Sequence, residues 1–282
     1  MYSINLNEIS VPLVHKYLLG AVGPRPICFA STMDAEGNPN LAPFSYFNVF
    51  SANPPIAIFS PARSGRTGQN KDTLENVLQV PEVVINIVNH ALVYQMSLAS
   101  SPFPKEINEF TKAGLTPLES EKVRPYRVQE SPVQMECKVN DVLSLGDKGG
   151  AGNLVVCEVL TMHIDPAILD SDKLIDPTLL DAVARMGGNY YCRAHGDALF
   201  EIEKPLTTCG IGVDNLPKHI KLSARLTGNH LGQLANLETL PTQNQIEAVK
   251  NKFINVQDIE GAAIALLKKN QTADALALLM SQ

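Results

Sequence analysis

The sequence is poor in aromatic residues, contains no tryptophan and has only five cysteines among 282 residues. The cysteines are odd in number and widely spaced, without a C-x-x-C pair, which argues against a disulfide framework and against a zinc site. The six histidines include no H-x-x-x-H pair. We therefore expect no metal site, and we interpret most of the cysteines as small buried hydrophobic residues, among Cys28, Cys137, Cys157, Cys192 and Cys209.

Long hydrophobic runs and an excess of positive charge are also absent. The longest apolar stretch, residues 80–98, is interrupted by Glu82, Asn86 and His90 and is too polar to span a bilayer. Residues 1–10 have neither the basic nor the apolar region of a secretory signal, so we expect a cytoplasmic protein without membrane contact. The net charge of −6, with a pI near 5.5, argues against general nucleic-acid binding.

Two nucleotide-binding motifs are missing as well. Neither G-x-G-x-x-G nor G-x-x-x-x-G-K-[ST] occurs, which argues against the usual Rossmann and P-loop sites. The nearest approaches, at residues 146–152 and 210–212, have the wrong spacing and are not followed by the right elements. A nucleotide would have to be held in another way.

β-Strand patterns dominate the chain up to residue 200. Residues 27–33 and 40–50 are predicted to be two strands joined by a turn at 34–38, where Gly37 and Asn38 tolerate positive φ. Strands separated mainly by turns favour an antiparallel barrel over a parallel sheet. From residue 200 onward helical spacing replaces the strand pattern, so we predict two domains, residues 1–200 and 201–282. Further strands are predicted at residues 56–60, 83–88, 133–145 and 154–164.

Polar residues accompany the first strands and the loop that follows them. Hydroxyl and amide side chains stand on the two paired strands and cations follow, in a set that comprises Ser31, Thr32, Ser45, Asn48, Arg63, Lys71 and Thr73. A flat heteroaromatic ligand with a phosphate tail needs donors along its ring edge and cations with free helix amides at the phosphate. Alternatively, these are ordinary polar residues of solvated strands and loops. Residues 72–75 also fit a capping box, in which Asp72 accepts the amides that a phosphate would need.

Six segments between residues 24 and 191 carry a family resemblance: PRPICFAST, NLAPFSYFNVFSANPP, KDTLEN, EFTKAGLT, ESPVQMECKV and RMGGNYY. In this order they resemble the flavin reductase-like, FMN-binding split-barrel family, in its flavoredoxin-like branch. The resemblance implies a mainly β fold with added helices: a six-stranded antiparallel split β-barrel of Greek-key type, followed by an α-helical C-terminal extension. The tail after residue 200 is not covered by the resemblance.

The resemblance further implies a homodimer that holds FMN at or near its interface. Ser31 and Thr32 would lie beside the isoalloxazine ring, with Tyr190 near its rim. The ring and the ribityl chain would contact Ser45, Tyr46, Phe47 and Asn48. The phosphate end would contact Ser60, Arg63, Lys71, Asp72 and Thr73, and Arg66 competes with Arg63 for that role.

The activity implied by the resemblance is an NAD(P)H-dependent flavin reductase that passes hydride from NADH or NADPH to N5 of FMN. No catalytic side chain is predicted, because the protein's task would be positioning. The alternative is a flavoredoxin-like electron-transfer flavoprotein that receives electrons from a redox partner protein. A third hypothesis keeps the barrel without flavin and uses the tail to bind a partner. By its spacing, Glu109 is assigned to the solvated face of a helix over residues 103–113.

Overall fold

A computed structural model describes residues 1–202 and 205–282 of the chain. The chain divides into two compact units, Met1–Phe200 and Glu201–Gln282. We call the first the barrel unit, because it contains the β-strands together with five α-helices, and the second the helical unit.

Twelve strands and five helices make up the described barrel unit. The strands are β1 (Arg25–Pro26), β2 (Cys28–Met33), β3 (Pro39–Phe44), β4 (Phe47–Ala52), β5 (Pro55–Phe59), β6 (Glu82–Ile87), β7 (Pro117–Leu118), β8 (Arg127–Val128), β9 (Val133–Ser144), β10 (Asn153–Ile164), β11 (Val183–Arg185) and β12 (Tyr191–Arg193). The helices are α1 (Val11–Ala21), α2 (Asp72–Gln79), α3 (Val93–Ala99), α4 (Glu109–Ala113) and α5 (Pro177–Leu180).

Seven strands form one antiparallel sheet in the order β3-β2-β6-β9-β10-β5-β4. The edge strands β3 and β4 are consecutive in the chain and are separated only by Ser45 and Tyr46. Consecutive Cα atoms are about 3.8 Å apart, so the facing ends of β3 and β4 lie within about 11 Å of each other. The sheet must therefore curl until its two edges meet, while the β3–β4 seam stays without ladder hydrogen bonds. This arrangement confirms the predicted split barrel.

The predicted single return strand over residues 40–50 is wrong, and the main sheet has seven strands rather than six. The backbone bends at Ser45 and Tyr46, so that β3 pairs with β2 whereas β4 pairs with β5 at the opposite edge. The predicted turn at residues 34–38 is confirmed, because the Asp34 amide donates to the Asn38 carbonyl at 3.1 Å and Gly37 has a φ of 94°.

Side chains on β2 alternate between two cores, as expected for a strand that is covered on both faces. Cys28 and Ala30 belong to the cluster inside the barrel, together with Cys137 and Cys157. Phe29 belongs to a second cluster that includes residues of α3 and α4. Burial raises the pKa of the Cys137 thiol to about 12, so this cysteine remains protonated and serves as packing.

The helical unit has its own hydrophobic core, whose buried members lie between Leu216 and Leu279. Its last two helices form the predicted hairpin, with Asn270 in the left-handed region at a φ of 56° between them. Within residues 1–202 and 205–282, no helix is long and apolar enough to cross a membrane. The helices of this unit are α6 (Lys218–Lys221), α7 (Gly228–Ala235), α8 (Gln243–Lys252), α9 (Ile259–Leu267) and α10 (Thr272–Met280).

Candidate functional site

A pocket of about 390 Å³ opens at the first turn of α2. Its walls come from the start of β3, the loop between β5 and α2, and the segment between α3 and α4. Three of the predicted phosphate-end residues, Lys71, Asp72 and Thr73, line it together. We call this cavity the α2 pocket.

The N-terminus of α2 is open toward this pocket. Lys71 is the N-cap residue, and its carbonyl accepts the amides of Leu74 and Glu75 at 2.9 and 3.2 Å. The predicted capping box is wrong, because Asp72 is already the first helical residue and a cap must lie one position earlier. No side chain of the described residues caps the helix. The first amides of α2 are therefore available to an anion.

A buried hydrogen-bond network fixes the first turn of α2 to the sheet. The Asn40 side-chain amide donates to the hydroxyls of Thr32 and Thr73, both at 3.0 Å, and the Asn76 side chain donates to Thr32 at 3.2 Å. All four side chains are buried. The predicted site residues Thr32 and Thr73 thus lie close together, and their hydroxyls serve to hold the walls of the α2 pocket in place.

Arg63 and Arg66, the two candidates for the phosphate end, lie in different places relative to the α2 pocket. Arg66 lines the α2 pocket, whereas Arg63 does not. The Arg63 amide donates to the Ala151 carbonyl at 2.9 Å, and its carbonyl accepts the Gly150 amide at 3.0 Å. These bonds tie Arg63 to the connection between β9 and β10, so the geometry favours Arg66 as the arginine of the pocket.

The charges in the α2 pocket are balanced, because Arg66 and Lys71 share it with Asp72 and Glu109. Glu109 is buried, in contrast to its predicted position on a solvated helix face, because α4 is short and packs its first turn against β3. Its carboxylate accepts the Leu41 amide at 3.1 Å. Burial raises the pKa of Glu109, and the nearby Asp72 adds a smaller increase against the opposing effect of the Leu41 amide.

The predicted ring-contacting residues lie outside the α2 pocket, at the link from β3 to β4. Phe47 is buried in the barrel core, while Tyr46 and Asn48 are exposed. The Ser60 amide donates to the Tyr46 carbonyl at 2.8 Å, which places Ser60 beside this segment rather than in the pocket. The structure therefore brings Ser45 to Asn48 and Ser60 together as a second group. Their predicted contacts with a ring remain predictions.

Two further predicted residues have contrasting surroundings. Ser31 is completely buried, and within the part of the chain that the structure describes its hydroxyl has no hydrogen-bond partner. Tyr190 is 77% exposed in the turn between β11 and β12. Neither lines the α2 pocket. Their assignment to the ring side remains a prediction.

Arg25, which sequence reasoning missed, connects three segments near the group formed by Ser45 to Asn48 and Ser60. Its guanidinium is buried and donates to the carbonyls of Leu19, Val22 and Met186, the first at 2.8 Å and the last at 3.0 Å. This joins the end of α1 to the turn that carries Tyr190, and β1 also contacts β4. Burial lowers the pKa of Arg25, although the guanidinium retains its charge at neutral pH.

A family model described as a flavin reductase like domain matches residues 21–186, which is more than half of the chain. The chain belongs to the flavin reductase-like family. This confirms the family predicted from the sequence. An uncharacterized protein of Aquifex aeolicus is 36% identical over 198 residues, covering 70% of this chain and 98% of that protein. One from Halalkalibacterium halodurans is 35% identical over 204 residues, covering 72% and 96%.

Two solved structures share the fold of the barrel unit. Nitrilotriacetate monooxygenase component B from Bacillus cereus is 32% identical with a TM-score of 0.67, covering 72% of this chain and 98% of that one. The 2-nitrobenzoate 2-nitroreductase NbaA of Pseudomonas fluorescens is 25% identical with a TM-score of 0.64, covering 74% and 100%. These proteins are matched almost whole by about three quarters of this chain, so the remainder is an addition relative to them.

Proposed function

We propose that this flavin reductase-like protein binds FMN and reduces it with NADH or NADPH. The observation that carries the proposal is the α2 pocket, in which an uncapped helix N-terminus and the Lys71 ammonium meet within the region matched by the family. Backbone amides at a helix start and a cation beside them suit a phosphate monoester, because both supply charge-assisted hydrogen bonds.

The donor set of the pocket fits such a ligand. Lys71 and the first amides of α2 would hold the phosphate, and Thr73 would keep that turn in place through Asn40. The Asn70 side-chain oxygen is buried without a partner among the described residues, so it can accept a hydroxyl of the ribityl chain. The group from Ser45 to Asn48 would contact the ring.

A flavin held in this site would supply the redox chemistry, with N5 as the position to which a nicotinamide can deliver hydride. The task of this chain would be to bind the flavin, to orient it toward the nicotinamide and to exclude water from both. The described pocket places no histidine or cysteine beside the proposed phosphate position, and its two carboxyls, Asp72 and Glu109, stand at the phosphate end. We therefore assign no general acid or base, and rate enhancement would come from positioning the two reactants.

A homodimer is part of the proposal. Val49 and Phe50 on the edge strand β4 are 61% and 65% exposed, and none of the residues of α1 is buried. Exposed apolar side chains on an edge strand and along a helix indicate surfaces that another chain covers. Because Asn48 and Tyr46 adjoin this surface, a second copy would also close the ring side of the site.

Flavin titration followed by nicotinamide oxidation tests the proposed function. We expect FMN fluorescence or absorbance to change on binding at micromolar FMN, and we expect the complex to oxidise NADH or NADPH. Absence of flavin binding would refute the proposal. Binding without nicotinamide oxidation would favour the electron-carrier alternative, in which a redox partner protein supplies the electrons.

A further inference from the structure

The hairpin of β9 and β10 ends in a glycine-rich tip, residues 145–152, which no nucleotide-binding motif explains. Four glycines fall among residues 146–153, a composition that gives a free connection unusual conformational freedom. The tip is nevertheless close to another loop, because Phe59 at the end of β5 pairs with Val155 near the start of β10. This register places the tip beside the chain that leaves β5, residues 60–71, which we call the pocket loop.

Three hydrogen bonds join the tip and the first residue of β10 to the start of the pocket loop. The Arg63 amide donates to the Ala151 carbonyl at 2.9 Å, and the Arg63 carbonyl accepts the Gly150 amide at 3.0 Å. The side-chain amide of Asn153, which is buried, donates to the Pro61 carbonyl at 3.0 Å. The pocket loop is therefore fixed to the hairpin at two positions before it reaches the α2 pocket.

The tip also touches the pocket loop at Gly149, where a larger residue does not fit. A β-carbon at this position would lie 3.0 Å from the Ser64 carbonyl oxygen and 3.2 Å from that of Gly65. Both distances are shorter than ordinary van der Waals contact, and both oxygens belong to the backbone, which cannot turn aside as a side chain can. The φ of Gly149 lies outside the left-handed region, so the closeness of the pocket loop alone excludes the added carbon.

Ser64 connects this contact to the residues that line the α2 pocket. Its amide donates to the Gln69 carbonyl at 2.9 Å, and its carbonyl accepts the Gly68 amide at 2.8 Å. The loop thus closes on Ser64, and Ser64, Arg66 and Gln69 all line the pocket. Among the described residues Arg66 has no ion-pair partner, so the position of its guanidinium depends on the backbone of the loop.

We propose that Gly149 is a positioning residue, which acts through Ser64 to hold the pocket loop in the place where Arg66 lines the α2 pocket. This inference rests on the proposed function, in which that pocket receives a phosphate. It adds a cause for selectivity between ligands that carry the phosphate and ligands that lack it. The first turn of α2 is fixed separately, through Asn40 and Thr73. The hairpin tip therefore sets one wall of the pocket, and the Asn40 network sets another.

Titrations of Gly149→Ala with FMN and riboflavin test the inference through affinity. The added methyl group should displace Ser64 and Arg66 and weaken FMN binding about tenfold, the lower end of what a hydrogen bond to a charged group contributes. Riboflavin has no phosphate, so its affinity should stay within about twofold. A merely structural role of Gly149 would weaken the binding of both ligands equally.

Two matched variants separate the position of the tip from its charge and from the added methyl group. Lys148→Ala changes the charge of the tip but adds no atom beside the pocket loop, so both affinities should stay within about twofold. Gly232→Ala adds a methyl group in α7, where no atom lies within 4 Å of it, and should likewise leave both affinities unchanged.

Hydrogen exchange of the protein without flavin tests the same contact independently of the ligand. The amides of Arg63 and Ser64 should be protected in the wild type and should exchange at least about tenfold faster in Gly149→Ala, whereas the amides of α2 should not change. Asn153→Ala removes the bond to Pro61 without adding volume and should also accelerate exchange at Arg63. This second variant keeps the test decisive if Gly149→Ala does not fold.

Three outcomes would overturn the inference. The first is unchanged exchange at Arg63 and Ser64 in Gly149→Ala, and the second is an equal loss of FMN and riboflavin affinity in that variant. The third is a selective loss of FMN affinity in Lys148→Ala, which would show that the tip acts through its charge. If wild-type protein bound FMN no more tightly than riboflavin, the phosphate site of the proposed function would fail, and the exchange data alone would decide whether Gly149 holds the loop.

Discussion

The α2 pocket and the β3–β4 link form the two halves of the proposed flavin site, and they are built in different ways. The α2 pocket is lined by residues of one chain, and its first helical turn is fixed to the sheet through Asn40. The link lies beside exposed apolar residues of an edge strand. We infer that one chain alone can form the phosphate half at the α2 pocket. The ring half at the β3–β4 link requires a surface from a second copy of the chain.

Charging the exposed edge strand should have the largest effect, because it acts on the half that we consider incomplete. Phe50→Glu places a carboxylate in the proposed interface and should weaken dimerisation at least about 100-fold, as loss of a strong interface contact does. Light scattering after size-exclusion chromatography would report the mass. Tyr94→Glu is the matched control at an exposed aromatic residue, and a dimer that survives Phe50→Glu would contradict the proposed interface.

Neutralising Lys71 should change affinity for the flavin phosphate without changing affinity for the flavin ring. Lys71→Gln removes a cation from the α2 pocket and should weaken FMN binding about 10- to 100-fold, the usual value of a hydrogen bond to a charged group. Riboflavin lacks the phosphate, so its affinity should stay within about twofold. Fluorescence titration measures both. Lys138→Gln, at an exposed position of β9 outside the pocket, is the control; a parallel loss for riboflavin would place Lys71 at the ring instead.

The buried network should matter more for stability than for the choice of ligand. Asn40→Ala leaves the hydroxyls of Thr32 and Thr73 without their shared donor and should lower the free energy of unfolding by about 1–3 kcal/mol. Urea denaturation would measure this. Asn140→Ala removes only an exposed hydrogen bond on β9, from the Asn140 side-chain amide to Glu158 at 2.9 Å, and should cost less than about 1 kcal/mol. Equal effects of the two substitutions would show that the network does not anchor α2.

The smallest effect is expected from the buried carboxyl of the pocket. Burial raises the pKa of Glu109, so the folded state binds that proton more tightly than the unfolded state does. The resulting stabilisation is complete below the unfolded pKa of about 4.3 and is lost as the pH rises through the folded pKa. Gln can still accept the Leu41 amide, so Glu109→Gln should flatten this part of the pH–stability curve. An unchanged slope in urea denaturation would contradict the assignment.

Local patterns in the sequence predicted much of the barrel. The apolar run before the turn at Gly37 indicates β2, and helical spacing indicates α9 and α10, because these signals depend on near neighbours. The break at Ser45 and Tyr46 could not be seen in this way. It arises because β4 pairs with β5 at the far edge of the sheet, a long-range choice that no local pattern contains.

The candidate site shows the same division between local and long-range information. The KDT segment indicated an anion site, and Lys71 to Thr73 do line one pocket. Lys71, rather than the predicted Asp72, is the N-cap residue, because the backbone of Lys71 is extended. Residue type alone does not reveal this backbone conformation. Glu109 joins the pocket only through packing of α4 against β3, so sequence spacing assigned it to a solvated helix face instead.

Parallel titrations of the wild-type protein with FMN and riboflavin test most directly whether the first turn of α2 holds a flavin phosphate. The two ligands share the ring and the ribityl chain, so the difference in affinity reports the phosphate alone. We expect FMN to bind at least about tenfold more tightly, from the charge-assisted bonds to Lys71 and the free amides. Equal affinities for FMN and riboflavin would contradict this site, whatever the activity of the protein.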